Sequence, residues 1–93
     1  MIKEAGNRAE IDGAMTLPGA TVLLAQGIAL ISRSTDTFDL AAVAEVDSSA
    51  LAVLFGWVRE AKRQGKSIKV SNPPKDLLSL AEVYGVSDLL PLA

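Results

Sequence analysis

The stretch from Phe38 to Leu51 constrains the fold more than any other. Phe38 to Val46 is apolar except at Asp39 and Glu45, so it reads as a central strand buried on both faces. At Asp47-Ser48-Ser49 it passes without a linker into a helical pattern. Leu51, Leu54, Phe55 and Val58 recur at helical spacing and predict the core-facing side of a helix from about Ser48 to Gln64, with Gly65 as its stop. A buried strand that feeds straight into a helix is half of a strand–helix–strand unit, and such units build parallel sheets.

The same alternation extends in both directions. Ala9, Ile11, Gly13, Met15 and Leu17 alternate with Glu10, Asp12 and Thr16, which predicts a strand, or two short strands bent at Asp12-Gly13. Pro18 suits the first turn of a helix running to about Ser32, with Leu23, Leu24, Gly27, Ile28, Leu30 and Ile31 on its apolar side. Ser67 to Ser71 reads as a short strand with Ile68 and Val70 inward. Asn72 can cap a third helix opened by Pro73-Pro74, with Leu77, Leu78, Ala81 and Tyr84 as its buried stripe and Gly85 at its end. Residues 1–8 read as a loose lead-in, and residues 9–93 as one domain. The expected fold is therefore α/β, a small and mostly parallel sheet with right-handed crossovers. In a chain of 93 residues the helices should cover one face of the sheet much better than the other.

Residue types close off most chemistry. The chain has neither cysteine nor histidine, which excludes disulfides, thiolate and imidazole metal sites, and Ser-His or Cys-His nucleophilic pairs. Gly13 and Gly19 are isolated, so there is no glycine-rich phosphate loop. Asp39 and Glu45 flank a strand with nothing to draw them into one pocket, and they read as structural. No catalytic residue, metal or cofactor is expected. The net charge of −2 comes without a basic stripe. Lys62, Arg63, Lys66, Lys69 and Lys75 read as a solvated helix end, so nucleic acid is not an expected partner. The start of the chain is polar and has no signal-peptide character. The longest apolar run, from Val22 to Ile31, is broken by Gln26 and Gly27 and falls far short of the ~20 residues of a membrane span. A cytosolic domain is expected, reaching a membrane only through a partner.

What remains is binding, and the start of the second helix is the place for it. Backbone N–H groups there lack helical partners and the dipole is positive, so Asp47 or Ser48 can supply a capping oxygen, and the functional reading of Ser48 is display to a partner. At ~100° per residue, Ser49, Ala52, Val53, Gly56 and Glu60 fall opposite the core stripe. All but Glu60 are small or apolar, where a solvated helix would carry charge. Trp57 borders this flank, and tryptophan is a common interface anchor. Gly56 inside a helix costs ~1 kcal/mol relative to alanine, which points to a packing reason for the glycine.

Asp47-Ser48-Ser49-Ala50-Leu51, set between a buried strand and a helix, resembles the signature loop of STAS domains. That family includes bacterial anti-sigma factor antagonists, and Gly13-Ala14-Met15-Thr16-Leu17 resembles its earlier Gly-x-Leu-Asp strand end. Thr16 stands where the antagonists commonly carry Asp, and Ala50 where they commonly carry Gly. Val46 to Ala52, Ala61-Lys62-Arg63-Gln64-Gly65 and Leu80 to Val86 are more similar to the STAS subunits of Mla phospholipid transporters, which maintain outer-membrane lipid asymmetry. The resemblance implies about four strands with several helices, and a non-catalytic accessory subunit in a Gram-negative cytoplasm. It implies an ABC-transporter ATPase subunit as the protein partner, with Ser48 in the contact. Thr16, Asp47, Ser48, Ser49, Ala52, Val53, Gly56 and Trp57 are thus the expected partner-binding residues. The alternative is an anti-sigma factor antagonist whose partner kinase phosphorylates Ser48. Whether the isolated domain forms a homodimer stays open at this level.

Overall fold

The computed structural model describes residues 2–93. Four strands form one sheet in chain order: β1 (Ile2–Ala5), β2 (Arg8–Met15), β3 (Thr37–Val46) and β4 (Lys69–Ser71). β1 runs antiparallel to β2, while β2, β3 and β4 are mutually parallel. A single 3₁₀ turn at Leu17–Gly19 leads into α1 (Ala20–Arg33), which joins β2 to β3. α2 (Ser48–Arg63) joins β3 to β4, and α3 (Lys75–Val83) follows β4. A second 3₁₀ turn at Ser87–Leu89 precedes a parallel bridge between Leu92 and Val70.

The two helical crossovers step in the same direction along the sheet. Right-handed connections that do so put their helices on one side. Buried residues of all three helices accordingly join the inward sides of the strands in one core, with Ile11, Phe38, Leu40, Val70, Leu54, Trp57 and Leu77 at its centre. The expectation of an α/β fold with helices on one face holds. The expectation that β3 is buried on both faces does not. Phe38, Leu40 and Val43 are buried, but Ala41, Ala42, Ala44 and Glu45 are exposed on or beside the bare face of the sheet. Alanine counts as apolar in a hydropathy pattern yet brings too little side chain to require cover. On that bare face Asp39 accepts hydrogen bonds from Arg8 at 2.6 Å, from the Ala41 N–H at 2.9 Å and from Asn72 at 3.1 Å. These contacts, led by the Ala41 N–H, hold its carboxyl below the usual range.

The expected loose lead-in is regular structure instead, a strand at Ile2–Ala5 and a turn at Gly6-Asn7 leading into Arg8 of β2; Met1 lies outside the described residues. Ile2 to Ala5 pairs with Arg8 to Ile11 through a tight turn at Gly6, whose φ of +65° is one that glycine adopts readily. Asn7 ties this turn to the start of β3, since its carbonyl accepts from Asp36 N at 2.9 Å and its amide donates to both Asp36 carboxylate oxygens. Ile2-Lys3-Glu4-Ala5 was too short, with a single large apolar residue, to show a period of two. β2 does bend at Gly13, which has φ +81° beside a register shift. It ends at Met15, so Leu17 leaves the strand and points to solvent. α1 starts at Ala20 because Pro18 is taken up in the 3₁₀ turn. Asn72 does not cap α3: it sits at φ +51° with its side chain turned to Asp39, and Pro74 holds the cap position.

Candidate partner-docking site

The parallel pairing of β2 with β3 sets Met15 beside Val46, so the turn after β2 and the start of α2 emerge at one end of the sheet. Asp47 bridges them. Its backbone is extended, at φ −133° and ψ −171°, the geometry of a helix N-cap. Oδ1 accepts from the Ser49 N–H at 2.9 Å and from the Ser49 hydroxyl, while Oδ2 accepts from the Leu17 N–H at 3.0 Å. The Ser49 hydroxyl, and after it the Leu17 N–H, holds this carboxyl below its ordinary range, so the carboxylate is ionised and already supplied with donors. Asp47, and not Ser48, is therefore the capping residue. Ser49 is committed to it, half-buried. Ser48 is exposed, and its hydroxyl takes no part in these bonds. Thr16 lies half-buried in the adjoining turn, its carbonyl accepting from Gly19 N at 3.2 Å.

Thr16, Asp47, Ser48, Ser49 and Ala52 are thus brought together, with Ala52 exposed one turn along from Ser48. Val53, Gly56 and Trp57 are not part of that surface. Val53 retains 3% of its exposure and Trp57 none. The flank that carries them is covered by α1. A Cβ on Gly56 would lie 2.7 Å from Leu24 Cδ1, so the close approach that its glycine signals is made to α1 within the chain. Trp57 stacks on Phe38, with ring centroids 4.2 Å apart, and its Nε1 donates to the Leu24 carbonyl at 3.1 Å. It is a core residue. A helical wheel assumes one covered side, and here the sheet and α1 cover α2 on two. The accessible ridge narrows to Ser48 and Ala52, continued by the charged Arg59 and Lys62.

On the other side of Ser48 lies a feature that the sequence pattern did not reveal. Ser48, Leu51, Phe55, Tyr84 and Val86 line a groove of about 260 Å³. Tyr84, expected in the buried stripe of α3, is 59% exposed, and Val83 beside it is 80% exposed. Leu17, expected in the core face of β2, is 72% exposed. The sequence signal for Tyr84 was its place against the Gly85 stop, where α3 ends after nine residues and no longer follows the core. The end of the molecule around Ser48 therefore presents apolar side chains and a free hydroxyl on a fixed backbone, an arrangement suited to burial against another protein. No helix among the described residues is long and apolar enough to cross a membrane.

Residues 2–91 match the family described as Mlab, STAS domain. The intermembrane phospholipid transport system binding protein MlaB of Haemophilus influenzae is 35% identical over 58 residues, a stretch that spans 62% of this chain and 55% of that protein. Among solved structures, a Thermotoga maritima protein described as an anti-sigma factor antagonist superposes with a TM-score of 0.77 at 10% identity, over 99% of this chain and 83% of the other. The unphosphorylated anti-sigma factor antagonist SpoIIAA superposes with a TM-score of 0.66 at 14% identity, over 88% of this chain and 80% of the other.

Proposed function

Because the chain belongs to the MlaB STAS-domain family, we propose that it is a non-catalytic accessory subunit of an ABC transporter that moves phospholipid, and that it docks on the ATPase subunit. It works at the cytoplasmic face of the inner membrane and is held there by that partner. Thr16, Asp47, Ser48, Ser49 and Ala52 form the contact, with the groove beside Ser48 as its apolar part. The observation that carries this reading is the division of labour at the α2 start. Asp47 consumes the local donors and makes the backbone rigid, and Ser48 is left exposed with an unused hydroxyl beside an apolar groove. A rigid surface loses little conformational freedom on association. A specific contact needs roughly 800 Å² from each partner, which is more than the Ser48 ridge alone provides and brings in the groove. Such a subunit acts by binding one state of the ATPase better than another. The test is co-purification with the transporter's ATPase and permease from native membranes. Recovery of the chain free of both, under conditions that keep the transporter intact, contradicts the proposal.

A second reading is supported by the same hydroxyl. Exposed Ser48 is accessible to a kinase, and phosphate there adds roughly −1.5 to −2 charges next to the Asp47 carboxylate, making a repulsive switch at the docking surface. Intact-mass measurement after incubation with the cognate anti-sigma kinase decides it: no added phosphate, with the kinase active on a control, removes the switch.

A further inference from the structure

Leu17 is a large apolar side chain held in the open, 72% exposed, and its backbone has little freedom to withdraw. Its N–H donates to Asp47 Oδ2 at 3.0 Å. Asp47 N donates in turn to the Met15 carbonyl at 3.4 Å, and Gly19 N closes the turn onto the Thr16 carbonyl at 3.2 Å. Pro18, next in the chain, has its φ fixed by its ring. One carboxylate therefore does two things at once: Oδ1 caps α2 and Oδ2 pins the turn that carries Leu17.

We propose that Leu17 is a second anchor of the docking surface, and that Asp47 is its positioning residue, locking the turn after β2 to the start of α2 so that Leu17 and Ser48 meet the partner as one rigid unit. The occupant it selects is an uncharged, apolar depression on the ATPase subunit. Residues 16–32, which include this turn and nearly all of α1, carry no charged side chain. The carboxylate of Asp47 is spent on three donors within the chain. Beyond Ser48 the neighbours are Leu51, Phe55, Tyr84 and Val86. The Asp47 oxygens already accept from three donors, so a charge on the partner facing this surface would be stripped of water without a direct hydrogen-bonded ion pair to replace it. An apolar depression would instead gain the burial of a leucine already held in place.

This inference rests on the docking reading, and its test separates the two. The affinity of the transporter's ATPase subunit is measured by titration calorimetry for the wild-type chain and for Leu17→Ser, Asp47→Asn, the double variant and Ser48→Asp, with a urea melt of each. Leu17→Ser is expected to weaken binding about tenfold, as the loss of a buried anchor does, with an unchanged melt because the side chain is exposed. Asparagine still caps a helix but has one acceptor oxygen where aspartate has two, so Asp47→Asn frees the Leu17 turn. In that background Leu17→Ser should cost clearly less than it does alone, a non-additivity that a merely structural role for Asp47 would not produce. If Ser48→Asp loses binding while Leu17→Ser binds as the wild type does, Leu17 is no anchor and this inference falls while the docking reading stands. If the two single factors multiply in the double variant, Asp47 does not act through Leu17. If the wild-type chain does not bind, or Ser48→Asp binds as well as the wild type, both fall.

Discussion

Gly27→Ala places one methyl group where Trp57 already lies: the new Cβ would fall 2.1 Å from Nε1 and 2.2 Å from Cε2 of the indole. The ring has nowhere to retreat. It is stacked on Phe38 with an interplanar angle of 15°, fully buried, and tied through Nε1 to the Leu24 carbonyl. Three contributions set the outcome. Forcing extra volume into a packed core costs about 1–3 kcal/mol. Breaking the indole hydrogen bond costs about 1 kcal/mol. Replacing glycine by alanine inside a helix returns about 1 kcal/mol. The sum is a loss of about 1–3 kcal/mol, governed by the overpacking, or roughly 5–20 °C in Tm for a domain of this size. Trp57 is the chain's one tryptophan, so urea unfolding followed by its fluorescence and by circular dichroism reads both the stability and the displaced ring. Gly56→Ala is the comparison. Its Cβ would meet Leu24 Cδ1 at 2.7 Å, the far end of a flexible side chain, so helix propensity offsets the contact to within about 1 kcal/mol. A Gly27→Ala protein as stable as the wild type, with unchanged emission, would refute the placement of Trp57 in the core and reopen it as an interface anchor.

The remaining expectations concern the same boundary between core and surface. Val53→Asp buries an unpaired carboxylate in the core; a loss of several kcal/mol is expected, seen as a chain largely unfolded by circular dichroism at 25 °C, and a folded variant would put Val53 at the surface. The lowered carboxyl of Asp47 contributes stability that is fully present above the ordinary carboxylate range and is lost as pH falls through its folded-state value. The chain has no histidine, the side chain that normally titrates near neutrality. Urea midpoints should therefore be flat from about pH 5 to 8 and fall below about pH 4; a midpoint that moves across neutrality would contradict this. Asp47→Ala removes the cap, and a lower urea midpoint is expected, with Asp47→Asn recovering most of it.

The sequence made the architecture readable because its main signals were long and mutually consistent. Three helical stripes, each bounded by a proline, an aspartate–serine pair or a glycine, fixed the order of elements. The parallel arrangement of β2, β3 and β4 followed from alternation alone. Short or chemically ambiguous stretches misled. Ile2 to Ala5 had too few large side chains to announce a strand. The exposed alanines of β3 counted as apolar although nothing covers them. The candidate docking site divided in the same way. Asp47, Ser48 and Ser49 were legible because capping chemistry is local. Val53, Gly56 and Trp57 were misplaced because their cover is α1, which meets α2 only in three dimensions. Leu17 and Tyr84 were missed as surface for the converse reason: each continues an apolar pattern beyond the point where the core ends.

Ala52 offers the most direct test of the claim that the ridge at the start of α2 is a protein-docking surface. It is exposed and lies one turn from Ser48. Arginine there leaves the urea midpoint unchanged and puts a long cation into the contact. The affinity of Ala52→Arg for the transporter's ATPase subunit should fall at least about tenfold. Wild-type affinity in a normally folded Ala52→Arg protein would show that the partner sits elsewhere.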